Sequence, residues 1–151
     1  MRAVLQRAAP GRCTVDGEAM GEIEAGLVVF AGIDKTDTEA DLAWVAEKVA
    51  GLRLFADAEN ESHFARSLAE TGGAVLAIPQ FTLHGDARKG RRPSFDGAMR
   101  PPEAARMFDR FVEILRAKGI RVETGRFGAM MRVDVSNDGP VTVLLDSKKT
   151  F

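Results

Sequence analysis

Residues 74–78 (AVLAI) form an unbroken apolar run that is followed at once by a proline. A strand facing water on one side alternates apolar with polar residues, so a continuous run of this length predicts a strand buried on both faces. Pro79 has no N–H and cannot continue a central ladder. The strand is therefore expected to end near Ile78, with Gln80, Phe81 and Thr82 at its tip. Amides released at a strand end can point at a ligand instead of a neighbouring strand, although many polar residues after a buried strand are only an exit into a loop. A second run of the same character spans residues 26–33 (GLVVFAGI).

Helical patterns separate these runs. Thr36 and Glu39 have capping-box spacing, and Leu42, Val45, Ala46 and Val49 recur on one helical face, with Gly51 near its end. Residues 52–56 fit a strand, 56–62 a loop and 62–70 a short helix, and Thr71-Gly72-Gly73 turns the chain into the opening run. Further on, Pro101 and Pro102 open a second main helix whose apolar face is Ala104, Phe108, Phe111, Val112 and Leu115, with Gly119 placed to terminate it. Residues 2–8 read as a first strand, and Asp16-Gly17 as the turn between two short strands. Residues 120–124, 127–136 and 141–145 complete the strands, with a tight turn expected at Asn137-Asp138-Gly139-Pro140. The class is α/β, a single domain over residues 1–146 with a polar tail, 147–151, expected to fray.

Composition narrows the function. The net charge of −1 argues against non-specific binding along a nucleic-acid backbone, which needs a broad basic surface, but leaves room for contact with one end of such a molecule. No apolar run approaches the roughly 20 residues that span a bilayer, and the N-terminal apolar segment is too short for a signal peptide. A cytoplasmic protein with no membrane association is expected. Cys13 is the single cysteine and excludes an intrachain disulfide; without a histidine near it in sequence it reads as structural. His63 and His84 lack metal-ligand spacing, so neither metal nor cofactor is expected. The one dense positive cluster, Arg88, Lys89, Arg91 and Arg92, lies in a glycine-containing stretch, HGDARKGRRPS. It is either a solvated loop or a phosphate-contacting one.

Neither Gln80-Phe81-Thr82-Leu83 nor Asn137-Asp138-Gly139-Pro140-Val141-Thr142 has a side chain suited to strong general acid–base work beside the strand tip. Any catalysis there must draw on backbone amides, a hydroxyl or groups of the substrate itself. These two segments resemble the signature motifs of the D-aminoacyl-tRNA deacylases. The resemblance extends to Gln6-Arg7, Gly21-Glu22-Ile23, Arg92-Pro93-Ser94-Phe95 and Thr124-Gly125-Arg126-Phe127, in order along nearly the whole chain.

The resemblance implies a barrel-like core of mixed and antiparallel sheets carrying two main helices. It implies a homodimer with the active site at the interface, where the Gly139-Pro140 turn of one subunit reaches the pocket of the other. In the family that peptide is cis, and its carbonyls exclude an L-aminoacyl side chain. Gln80 and Phe81 would donate backbone N–H groups to the ester carbonyl, and Thr82 would lie beside the ester, as nucleophile or as a positioning group. Water oriented by the ribose 2′-hydroxyl is the more economical alternative. Phe127 and Met131 would line the adenosine or aminoacyl pocket, Arg7 would brace the Gly-Pro turn, and Arg88 to Arg92 would lie near the first phosphates of the tRNA 3′ end. The implied reaction is hydrolysis of D-aminoacyl-tRNA, and of glycyl-tRNA by extension. The chain departs from the pattern at Pro79, where the family usually has Ser, and at Glu59-Asn60-Glu61-Ser62-His63. Proline at the first position resembles a sister branch that clears L-alanine from tRNA. That branch, and a non-catalytic nucleic-acid-binding protein on the same scaffold, are the alternatives.

Overall fold

The computed structural model describes residues 1–57 and 64–151. Strands β3 (Gly26–Gly32) and β6 (Ala74–Pro79) lie parallel at the centre of a six-stranded mixed sheet. Leu27, Val29, Val75 and Ala77 face one core, while Val28, Leu76 and Ile78 face a second on the opposite side. That division is why both runs are continuously apolar: alternate residues are claimed by different cores.

The first core is closed by helices α1 (Glu39–Gly51) and α3 (Glu103–Ala117). Leu42, Val45, Ala46 and Val49 of α1, with Ala104, Phe108, Phe111, Val112 and Leu115 of α3, are buried against the sheet, as their periodicity predicts. The α1 cap sits two residues later than expected. The Asp41 carboxylate accepts from the Thr38 N–H (2.9 Å) and hydroxyl (3.0 Å), whereas Thr36 donates its own N–H and hydroxyl to Asp34. Asp34 thus removes Thr36 from competition for the cap. Pro101 and Pro102 precede α3 instead of occupying its first turn, and Gly119, at φ +79°, ends it.

The second core is closed by strands. Strand β1 (Arg2–Val15) pairs with β3 through its first half, with β2 (Glu18–Ile23) through its second, and with β8 (Arg132–Asp146) along nearly all its length. The result is a nearly closed, barrel-like sheet, with β7 (Val122–Thr124) parallel to β6 on the far side. Asp16 and Gly17 both have positive φ and make the tight β1–β2 turn.

Several local expectations are corrected. The first strand runs to Val15, through Pro10. The proposed strand over 127–136 begins only at Arg132, and it does not stop at Asn137: β8 is one strand through Asp146. The expected helix over 62–70 is instead β5 (Arg66–Ser67), pairing with β4 (Arg53–Phe55), then the one-turn α2 (Leu68–Thr71). Residues 58–63, including the departure at 59–63, lie outside the described residues. The tail is held in place. Ser147 N–H donates to Met1 O (2.9 Å), and Lys148 pairs with Asp41 (2.9 Å) and with the buried Asp37.

Candidate active site

Strand β6 runs one residue past Ile78, because proline needs no N–H to pair through its neighbours. Gln80 N–H donates to Ala31 O at 2.8 Å and supplies the last rung toward β3. That amide is therefore engaged in the sheet, whereas the family resemblance has Gln80 and Phe81 as the pair of donors to the ester carbonyl. A 3-10 helix, Phe81–His84, follows immediately. The first amides of a helix have no partner within it. Leu83 N–H turns back to Gln80 O (3.3 Å), while Phe81 and Thr82 N–H have no acceptor among the described residues. The Thr82 hydroxyl accepts from the Gln80 side-chain amide.

Beside this tip, at the carboxyl ends of β3 and β6, lies a cavity of about 500 Å³. Crevices beyond the carboxyl ends of parallel strands are the usual ligand sites of such sheets. Its walls are largely apolar, from Ile33, Pro79, Phe81, Phe95, Phe108 and Phe127. Phe81 is 57% exposed, and its ring meets Phe95 edge-on at 5.1 Å. Phe127 lies 6.5 Å from Phe108, between cavity and core. Polar character enters through Gln80, Asp96 and Arg100. Asp96 is the one carboxylate among the lining residues and accepts from the Ser94 hydroxyl at 2.8 Å. Sequence reading missed Phe95 and Asp96 as walls and took Phe108 only as core. The signal was the Arg92-Pro93-Ser94-Phe95 fragment, which places an aromatic directly after the basic loop.

Met131 does not line this cavity. It packs against the second core with Val133 and Val135, the residues that share its face of the chain at period two. Gly139 and Pro140 are also absent from the cavity walls and stand exposed. They sit in a bulge: β8 advances from Asn137 to Thr142 while β1 advances only from Ala8 to Gln6. The Gly139-Pro140 peptide is cis and Gly139 has φ +119°. Asn137 closes the bulge from within. Its amide donates to the Thr142 hydroxyl (3.0 Å), and its carbonyl accepts from Val141 N–H (3.3 Å). Arg7 lies against it, with Nε 2.9 Å from the Asp138 carboxylate, and Nη1 donates to Leu54 O at 2.6 Å.

The basic segment is a loop closed by two backbone bonds between Asp86 and Ser94 (2.7 and 3.0 Å). Arg88 is committed to Asp86 at 2.6 Å. Hydrogen bonds from the Arg88 side chain and backbone hold that carboxyl well below the usual range. Lys89, Arg91 and Arg92 are exposed and have no ion-pair partner among the described residues. Cys13 is buried, which pushes its thiol pKa up and suits the structural reading.

A barrel-like mixed sheet with a largely apolar cavity at its parallel strand ends, and with the Phe81 and Thr82 amides without acceptors among the described residues, defines a small α/β protein with one candidate pocket at its strand tips. Residues 4–146 match the family model described as D-Tyr-tRNA(Tyr) deacylase, and the chain belongs to that family. It is 56% identical over 151 residues to the D-aminoacyl-tRNA deacylase of Symbiobacterium thermophilum, covering 100% of this chain and 99% of that protein. It is 58% identical over 152 residues to the protein of the same name from Sorangium cellulosum, covering all of both. Among solved structures, one titled c-Myc DNA Unwinding Element Binding Protein aligns with TM-score 0.90 and 37% identity, over 97% of this chain and 98% of that one. A probable eukaryotic D-amino acid tRNA deacylase aligns with TM-score 0.81 at 21% identity, over 95% and 97%, a likeness of fold.

Proposed function

We propose that the protein hydrolyses the ester of D-aminoacyl-tRNA, releasing the free D-amino acid and tRNA, with glycyl-tRNA as a further substrate. The observation that carries this reading is that Phe81, which lines an apolar cavity, and Thr82 next to it have amides with no acceptor among the described residues, in a chain of this family. Amides fixed at a strand end need no reorganisation to meet the negative charge that develops on an ester carbonyl. The cavity takes the terminal adenosine, with Phe81, Phe95 and Phe127 as its aromatic walls. The ribose 2′-hydroxyl orients the attacking water, and Thr82 positions it through the hydroxyl shared with Gln80.

Stereochemical selection falls to the Gly139-Pro140 bulge. Because the bulge stands exposed and outside the walls of its own cavity, the reading places it in the cavity of a second copy, in a homodimer. Arg7 and Asn137 hold the bulge in shape. Lys89, Arg91 and Arg92 lie free to meet phosphates leading away from the tRNA end, while Arg88 is the least available of the four. Pro79 in place of Ser removes a hydroxyl and an N–H from the cavity wall but leaves the Gln80 rung toward β3 and the amides of Phe81 and Thr82 intact. The test is release of D-tyrosine from D-tyrosyl-tRNA by the purified protein without added metal. Turnover above the spontaneous rate is expected, and its absence would sink the proposal.

A further inference from the structure

We infer that a groove next to the cavity is a second nucleotide site, taking the unpaired base that precedes the terminal adenosine. The inference rests on tRNA being the substrate. The groove has a volume of about 600 Å³ and shares Asp96 with the cavity, so a strand leaving the cavity on that side enters it directly. One wall is the ring of Phe151, which is 67% exposed. The Arg2 guanidinium lies 5.7 Å from the ring centroid and is itself fixed, donating to Leu83 O at 3.0 Å with Asp146 at 3.7 Å. An exposed aromatic ring with a guanidinium already held over it is a stacking platform for a base.

The charge of the groove decides which part of the nucleotide it takes. Asp34, Asp86 and Asp96 line it together with Arg2 and Arg88; Arg88 already pairs with Asp86 at 2.6 Å, which leaves Asp34 and Asp96 as the carboxylates that can meet a ligand. Carboxylates repel a phosphate but accept hydrogen bonds from the exocyclic amino group of a base, as Asp does with cytosine. Asp34 also lies 3.7 Å from Nδ1 of His84, whose buried Nε2 has no hydrogen-bond partner among the described residues. The nucleotide before the terminal adenosine of tRNA is a cytidine, which carries such an amino group. With its base in the groove, its phosphate faces outward to the loop where Lys89, Arg91 and Arg92 have no ion-pair partner among the described residues. The occupant is thus a stacked, amino-bearing base and not a free anion.

The test compares the D-tyrosyl esters of adenosine, of the trinucleotide CCA and of CUA on the native protein and on Phe151→Ala and Phe151→Trp. The native KM should be about tenfold lower for the CCA ester than for the adenosine ester at similar kcat, the worth of one base–aromatic stack. Phe151→Ala should remove most of that gap and leave the adenosine ester unaffected, whereas Phe151→Trp should keep it. The CUA ester, which replaces the amino group by a carbonyl, should lose part of the gap on the native protein. Equal KM values for the adenosine and CCA esters, or a gap that survives Phe151→Ala, would overturn the subsite while the deacylase reading stands. Failure of the native protein to hydrolyse any of the three would overturn both.

Discussion

Gly139→Ala tests the link between backbone geometry and selection. Gly139 has φ +119°, a region that residues with a Cβ rarely adopt. A Cβ built there would lie 2.8 Å from Val141 Cγ2, 3.0 Å from Val141 N and 3.1 Å from Arg7 Nη2. The side-chain contacts can yield by rotation, but the Val141 amide is backbone and is held by Asn137. Keeping a non-glycine residue in such a conformation costs about 1–3 kcal/mol. The bulge is exposed and held mainly by Asn137 and Arg7, so it is expected to relax and not to unfold the sheet. Global stability should fall by less than about 1 kcal/mol. The cost should appear instead as lost discrimination, about tenfold in the D-to-L rate ratio, with about 1.4 kcal/mol per factor of ten. Single-turnover release of labelled tyrosine from D- and L-tyrosyl-tRNA measures the ratio, and a urea melt measures stability. A native D-to-L ratio in a folded variant would refute the role given to this bulge.

Three further outcomes follow from the same geometry. Arg91→Ala/Arg92→Ala should raise KM for tRNA severalfold, weaken its salt dependence and leave kcat nearly unchanged; a change confined to kcat would count against phosphate contact. A substrate ending in 2′-deoxyadenosine should react about a hundredfold slower or worse, the scale of lost general base assistance, while Thr82→Ala should cost less than about tenfold; the reverse order would make Thr82 the nucleophile. Asp41 caps α1, and although burial alone would raise its carboxyl pKa, hydrogen bonds from Thr38, Lys148 and Ser147 hold it well below the ordinary range. Its stabilisation is therefore complete above the usual aspartate value of about 3.9 and is lost as pH falls through the lower folded value. Asp41→Asn should cost about 1 kcal/mol at pH 7, and the difference from the native protein in urea midpoints should shrink below about pH 4.

The central strands and both main helices were legible because burial imposes a period on sequence, and residues 26–33, 74–78, α1 and α3 carry those periods unbroken. The long strands β1 and β8 were not. Each contains proline, and Gly139-Pro140 is a strong local turn signal, yet the two strands hold each other's register on either side of the bulge. Tertiary pairing overrides local punctuation there, and a turn was read where the chain only bulges. The site divides in the same way. Phe81 and Phe127 line the cavity and Thr82 follows Phe81 in the 3-10 helix, an arrangement that a strand tip and its neighbouring turn make readable from local pattern. The occupied amide of Gln80 depends on Ala31, far away in sequence, and the place of Met131 depends on which face of the chain leading into β8 turns inward. Asp96 joins the cavity only because the basic loop closes through Asp86 and Ser94.

The ratio of kcat/KM for D-tyrosyl-tRNA to that for L-tyrosyl-tRNA, on the native protein without added metal, tests the account most directly. A ratio above about 100, equivalent to about 2.8 kcal/mol of differential stabilisation, is predicted. A ratio near one, or one that favours the L ester, would contradict the assignment of chiral selection to this site.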